Sequence, residues 1–162
     1  MSLKNVSRIL VVVLEGNLGL RISDILSLRL SDIVRDGDRY RLEITEQKTK
    51  KKRVFTVPLV IQQYIENYCL RNGIGKNEKI FDLTERAISK QLALVCDYLG
   101  FEGIGTHSFR KWYATEIYKN NGYDITLVQR LLQHSSAAIT QRYIGIEPQR
   151  IEEAIEGHAQ LL

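Results

Sequence analysis

The segment Tyr40-Arg-Leu-Glu-Ile-Thr-Glu-Gln-Lys-Thr-Lys-Lys-Lys-Arg-Val-Phe-Thr-Val-Pro58 holds two alternating stretches, 40–45 and 54–57, on either side of a charged turn. Alternation of apolar and polar residues over such short runs predicts two antiparallel strands. Pro58 ends the second, and Asp36-Gly-Asp38 marks a tight turn before the first. Everything outside this segment follows a helical period. Upstream, an apolar stripe runs from about Asn5 to Gly16. After Gly16-Asn17 and Gly19, a short helix is expected over roughly Arg21 to Leu28, with Ser23 and Asp24 favouring its first turn. Downstream, helices are expected over Leu59 to Arg71 and from Thr84 to Leu99, where Ile88, Leu92, Val95 and Leu99 share one face and Gly100 closes the helix. Further helices should run from about Ser108 to Asn120 and from an Asp124 cap to about Gln133, followed by a short one capped by Ser135-Ser136 and carrying Tyr143. An amphipathic tail follows Pro148, with Ile151, Ala154, Ile155 and His158 on one side. The expected fold class is mainly α with one small antiparallel β-sheet, α+β.

At 162 residues the chain suits one domain with a sizeable core. Its hydrophobic content of 44% and charged content of 26% are those of an ordinary globular protein. A formal net charge of +4 leans towards a polyanionic partner without requiring one. Cys69 and Cys96 lie far apart inside helical patterns, which favours buried free thiols over a disulfide. The apolar run Ile9 to Leu14 is too short for a signal core or a membrane span, so a cytoplasmic protein without a membrane partner is expected.

Several residues carry chemistry. In Thr106-His107-Ser-Phe-Arg110, an imidazole and a guanidinium stand three apart at a helix start, where both can meet one small anion. From that pattern alone, a surface or paired arginine beside a satisfied histidine is the better reading. His134 follows an apolar helix, and Tyr143 comes nine residues later. A lone tyrosine there is ordinarily packing with its hydroxyl at the surface. Lys48, Lys50, Lys51, Lys52 and Arg53 make a run of five cations between the strands, either a solvated turn or a loop laid along a phosphate backbone. Arg21 opens a helix among apolar neighbours, so it must pair with a carboxylate or face a cleft. Asp24, three residues on, is the candidate to hold and orient it.

Taken together, these segments resemble the tyrosine recombinases, or phage integrases. Leu18-Gly-Leu-Arg21-Ile-Ser-Asp-Ile-Leu-Ser-Leu28 with Asp32-Ile33 is similar to that family's first arginine box. Gln47-Lys48-Thr-Lys followed by Thr56-Val-Pro58-Leu59 is similar to its lysine hairpin. Thr106-His107-Ser-Phe-Arg110, then Leu132-Gln-His134-Ser-Ser with Ile139-Thr-Gln-Arg-Tyr143, resemble its second box and nucleophile helix. The match runs in order from about Arg8 to Arg150. Gln133 departs from the usual glycine, which implies a less relaxed turn, and Asp24 stands where glutamate is commoner.

The resemblance implies a catalytic domain over residues 1–162, with no counterpart here of the family's N-terminal core-binding domain. It implies DNA strand cutting and rejoining through a covalent 3′-phosphotyrosyl link, with neither metal nor other cofactor. Arg21 and Arg110 would grip the phosphate, His134 would add a hydrogen bond, and Tyr143 would attack with His107 taking its proton. Lys48 would protonate the departing 5′ oxygen, while Lys50, Lys51, Lys52 and Arg53 follow the DNA. The three histidines lack metal-ligand spacing, and no carboxylate cluster suggests a two-metal nuclease. Double-stranded DNA is the expected partner, with a homo-tetramer formed on it through the terminal helix and a monomer when free. The alternatives are a DNA-binding module of a mobile element without chemistry, and a relaxing enzyme like a type IB topoisomerase.

Overall fold

The computed structural model describes residues 3–145, 152–153 and 155–158. The chain divides into two compact units, the first ending at Arg110 and the second beginning at Lys111. In the first, helix α1 (Leu3–Leu18) turns Leu10, Leu14 and Leu18 inward and stops at Gly19, whose φ of 58° places it in the left-handed region. The Gly19 N–H donates to the Glu15 carbonyl, satisfying one of the orphan acceptors at the helix end. Helix α2 (Ile22–Ser27) follows at once and buries Ile22, Asp24 and Ile25. A 3-10 turn (Leu30–Asp32) leads into the sheet.

The sheet has three antiparallel strands in the order β1 (Ile33–Asp36), β2 (Arg39–Thr45) and β3 (Lys52–Val57). Strands β2 and β3 coincide with the alternating stretches, whereas β1 does not announce itself. Ile33 and Val34 are its only apolar residues, too few for alternation to show, and pairing with Leu42 and Arg41 of β2 is what makes it a strand. Asp36 faces Arg39, with Gly37 at φ 63° in the connecting turn. Between β2 and β3 the register sets Tyr40 opposite Val57, Ile44 opposite Arg53 and Thr45 opposite Lys52.

Helix α3 (Leu59–Arg71) buries Gln62, Ile65 and Cys69. Helix α4 (Glu85–Leu99) is capped by the Thr84 hydroxyl, which accepts the Ala87 N–H, and closes on Gly100 in the left-handed region. Only part of the face expected of α4 is covered. Ile88 and Cys96 are buried, but Val95 and Leu99 are 44% and 55% exposed. Cys69 and Cys96 are free and buried.

Helix α5 (Thr106–Asn120) gives its first residues to the first unit and the rest to the second. In the second unit, α6 (Ile125–Leu132) is capped by Asp124, whose carboxylate accepts the N–H groups of Thr126 and Leu127. Helix α7 (Ala137–Ile144) is capped by Ser136. Ala114, Tyr118, Val128, Leu132 and Ile144 form a small core of their own. Residues 152–153 and 155–158 are helical, and Ile155 is exposed; Ile151 and Ala154 of the expected amphipathic tail lie outside the described residues. Among the described residues no helix is long and apolar enough to cross a membrane.

Candidate active site

In the first unit, Arg21 occupies the N-cap position of α2 with an extended backbone, φ −72° and ψ 149°. Its Nη1 donates to Glu46 Oε2 at 2.5 Å, and its side chain stays 18% exposed. Asp24, expected to orient Arg21 through a salt bridge, does something else: buried itself, it accepts the backbone N–H of Gln47 at 2.7 Å. Glu46, which directly follows β2, takes the place expected of Asp24, because the hairpin folds back over the start of α2.

The Glu46 carboxylate is fully buried. Besides Arg21 it accepts the Thr49 hydroxyl at 2.7 Å and the Arg53 Nη1 at 3.4 Å. Burial alone would push its pKa up, but the Thr49 hydrogen bond and the bond and charge of Arg21, with Arg53 behind them, more than offset this. The carboxyl is held below its ordinary range and stays ionised.

Arg53, expected along the DNA with its lysine neighbours, is instead 3% exposed. Its guanidinium donates to Glu46 and to the Gly19 carbonyl at 3.3 Å, and it stacks 4.7 Å from the centre of the Phe55 ring. Arg53 thus faces the interior of the hairpin, away from the exposed side that its lysine neighbours occupy. Lys48, Lys50, Lys51 and Lys52 do stand exposed on the hairpin, as a phosphate-facing loop requires.

His107 is exposed in the first turn of α5, and Arg110, one turn later, is 3% exposed. The Arg110 Nη1 donates to the Gly19 carbonyl at 2.7 Å. That carbonyl therefore receives both Arg110 and Arg53, and a continuous chain of hydrogen bonds runs from Arg110 through Gly19, Arg53 and Glu46 to Arg21. The first unit thus brings both proposed clamp arginines into one network.

The second unit brings together the other two groups. Gln133 ends α6 in the left-handed region, φ 55° and ψ 38°, the conformation that a glycine would adopt more readily. The next residue, His134, sets its ring edge-on to Tyr143, centroids 5.2 Å apart and planes at 80°. Its Nδ1 lies 3.1 Å from the hydroxyl of Thr140, a fully buried residue one turn before Tyr143. That hydroxyl also donates to the Ser136 carbonyl, which leaves its oxygen to accept from Nδ1–H and directs Nε2 elsewhere. Tyr143 is half-buried against the small core.

Sequence reasoning missed Glu46, Thr49, the Gly19 carbonyl and Thr140. Glu46 did carry a signal, being the single carboxylate abutting a run of cations; a backbone carbonyl carries none. Among the described residues no group of His, Cys, Asp or Glu gathers as a metal site.

The sequence profile of the phage integrase family matches residues 3–150, and the chain belongs to that family. It is 37% identical over 139 residues to the probable integrase/recombinase YoeC of Bacillus subtilis, covering 81% of this chain and 73% of that protein. It is 29% identical to the tyrosine recombinase XerA of Pyrococcus furiosus, covering 92% of this chain and 53% of that one. Among solved structures, the XerH site-specific recombinase bound to palindromic difH substrate in a post-cleavage complex has a TM-score of 0.75 at 25% identity, over 96% of this chain and 47% of XerH. The catalytic domain of bacteriophage HP1 integrase shares the fold, with a TM-score of 0.62 at 22% identity over 93% of this chain and 84% of that one. The chain thus spans about half the length of XerA and XerH, and its fold is that of a tyrosine recombinase catalytic domain.

Proposed function

We propose that this chain is the catalytic part of a site-specific DNA recombinase or integrase, cutting and rejoining strands through a covalent 3′-phosphotyrosyl intermediate. The observation that carries the reading is the arginine network of the first unit, in a chain of this family, together with the His134–Tyr143 pair of the second. Double-stranded DNA is the substrate, a reading supported by the XerH complex with its palindromic difH substrate, and the exposed lysines of the hairpin supply its backbone contacts.

The scissile phosphate carries a charge that repels nucleophiles. Arg21 and Arg110 hold its non-bridging oxygens, and their anchors keep both guanidinia in place before the DNA arrives. A phenol of reference pKa about 10 is only about 0.1% ionised at neutral pH, a deficit of about 4 kcal/mol. Tyr143 therefore needs its proton removed, and His107 takes it. As the Tyr143 oxygen bonds to phosphorus, the bond to the 5′ oxygen breaks, and that oxygen takes a proton from Lys48. His134, carrying protons on both ring nitrogens when the phosphate is bound, donates its Nε2 hydrogen to that phosphate while its Nδ1 hydrogen stays on Thr140.

On DNA the protein acts as a homo-tetramer joined through its C-terminal helix and is a monomer when free, a reading supported by the exposed Ile155 on the helical stretch 155–158. It works in the cytoplasm, where its substrate lies. A non-catalytic DNA-binding module and a topoisomerase-like relaxing enzyme are the lesser readings, since the named relatives are recombinases.

Incubation with a nicked suicide duplex, followed by denaturing electrophoresis, tests the reading. A covalent protein–DNA adduct is expected, and Tyr143→Phe should abolish it. Tight binding with no adduct would point to the module, and supercoil relaxation without strand exchange to the relaxing enzyme. Sedimentation with DNA that finds only isolated protomers would remove the tetramer.

A further inference from the structure

Lys48 is exposed, yet the residues on both sides of it are fastened to buried carboxylates. The Gln47 N–H donates to Asp24 Oδ1 at 2.7 Å, and the Thr49 hydroxyl donates to Glu46 Oε2 at 2.7 Å. The same Glu46 oxygen receives Arg21. The Glu46 backbone closes the loop as well, its N–H donating to the Lys51 carbonyl and its own carbonyl accepting the Lys50 N–H, both at 3.0 Å. Lys50 takes the left-handed φ of 56° that this tight return requires.

Building on the function proposed above, we infer that Glu46 is a positioning residue that joins two parts of the reaction. Through one carboxylate oxygen it holds Arg21 against the phosphate, and through Thr49 it holds the backbone beside Lys48. The phosphate clamp and the proton donor are thereby placed as one rigid piece, while the lysine side chain remains free to reach the leaving oxygen. A charge-assisted bond between a buried carboxylate and a guanidinium is among the firmer contacts a fold can make. The ionised state of Glu46, maintained by Thr49 and Arg21 against its burial, keeps both bonds in being. Proton transfer is sensitive to such placement, and an error of about 1 Å can cost about a hundredfold in rate.

Placement of Lys48 is separable from grip on the phosphate. When the 5′ bridging oxygen is replaced by sulfur, the P–S bond breaks to leave a thiolate. Thiols ionise near 8.5, as cysteine does, so this leaving group departs without the proton that an alkoxide needs. Loss of Lys48 placement should therefore disappear on the sulfur duplex, whereas loss of phosphate grip should not.

The experiment compares single-turnover cleavage of oxygen and sulfur duplexes by the wild-type chain, Thr49→Val, Thr49→Ser and Glu46→Gln. Thr49→Val keeps the side-chain shape and removes the hydroxyl. It should slow cleavage of the oxygen duplex by about tenfold or more, return to near the wild-type rate on the sulfur duplex, and leave DNA affinity unchanged. Thr49→Ser, which restores the hydroxyl, should match the wild type on both. Glu46→Gln should be slow on both duplexes, with sulfur recovering only part of the loss, because Arg21 loses its anchor too. If Thr49→Val cleaves the oxygen duplex at the wild-type rate, or is slowed equally on both, Glu46 does not act through the hairpin and the inference falls alone. If the wild type forms no adduct on either duplex, the recombinase reading itself fails and takes the inference with it.

Discussion

Glu15 and Glu46 are both fully buried carboxyls of the first unit, and their surroundings drive them in opposite directions. Glu46 is surrounded by donors and stays ionised. Glu15 sits four residues after Val11 and three before Leu18, on the apolar face of α1, and among the described residues neither of its oxygens has a hydrogen-bond partner. Burial pushes its pKa from 4.5 to about 8, with the Arg110 charge opposing and Glu85 adding to the rise. Between those values the folded chain binds a proton that the unfolded chain has released, so stability falls as pH rises. The slope is at most about 1.4 kcal/mol per pH unit. Glu15→Gln should flatten it and raise stability at pH 8, as read from urea midpoints at pH 5, 6, 7 and 8; an unchanged slope would reject this account. The position of Glu15 on the buried face was legible from helical spacing. Its effect was not, because that depends on which side chains stand opposite.

The β2–β3 hairpin shows how one element sorts chemically similar residues. Side chains alternate along β3, so Arg53 shares a face with Phe55 and Val57, and Val57 is buried. Alternation shows only from Val54 onward, so in the sequence the last cation of the run reads as part of the loop, whereas β3 begins at Lys52. Arg53→Ala should destabilise the protein by about 3 kcal/mol, because it strips a partner from a buried carboxylate. Lys51→Ala, on an exposed side chain, should stay within about 0.5 kcal/mol of the wild type. Denaturant unfolding of the two variants would settle the matter, and equal stabilities would show that the buried pair contributes nothing. Helix ends were more legible than strand edges. Thr84, Asp124, Ser136, Gly19 and Gly100 act within a few residues, and Gln133 adopts the left-handed conformation that its place after α6 suggested.

For the molecule as a whole, the hairpin predicts how DNA binding responds to salt. Affinity should fall linearly on a log–log scale, with a slope near −0.9 for each phosphate neutralised. Lys51→Ala and Lys52→Ala should each reduce that slope by about 1, and Arg53→Ala should leave it unchanged; a reduced slope for Arg53→Ala would return that residue to the DNA. The division at Arg110 had no signature in the sequence, since no linker-like composition marks it and only the separate packing of two cores reveals it. By itself the sequence determined the order of the helices and of two of the three strands, most of the caps, and the family to which the motifs belong, because periodicity and capping are short-range properties of the chain. Tertiary structure alone decided that Arg21 pairs with Glu46, that Arg110 binds a carbonyl 91 positions away, and that Arg53 turns inward. The partner of a buried charge is chosen by which segments meet in space, and local pattern carries no record of that meeting.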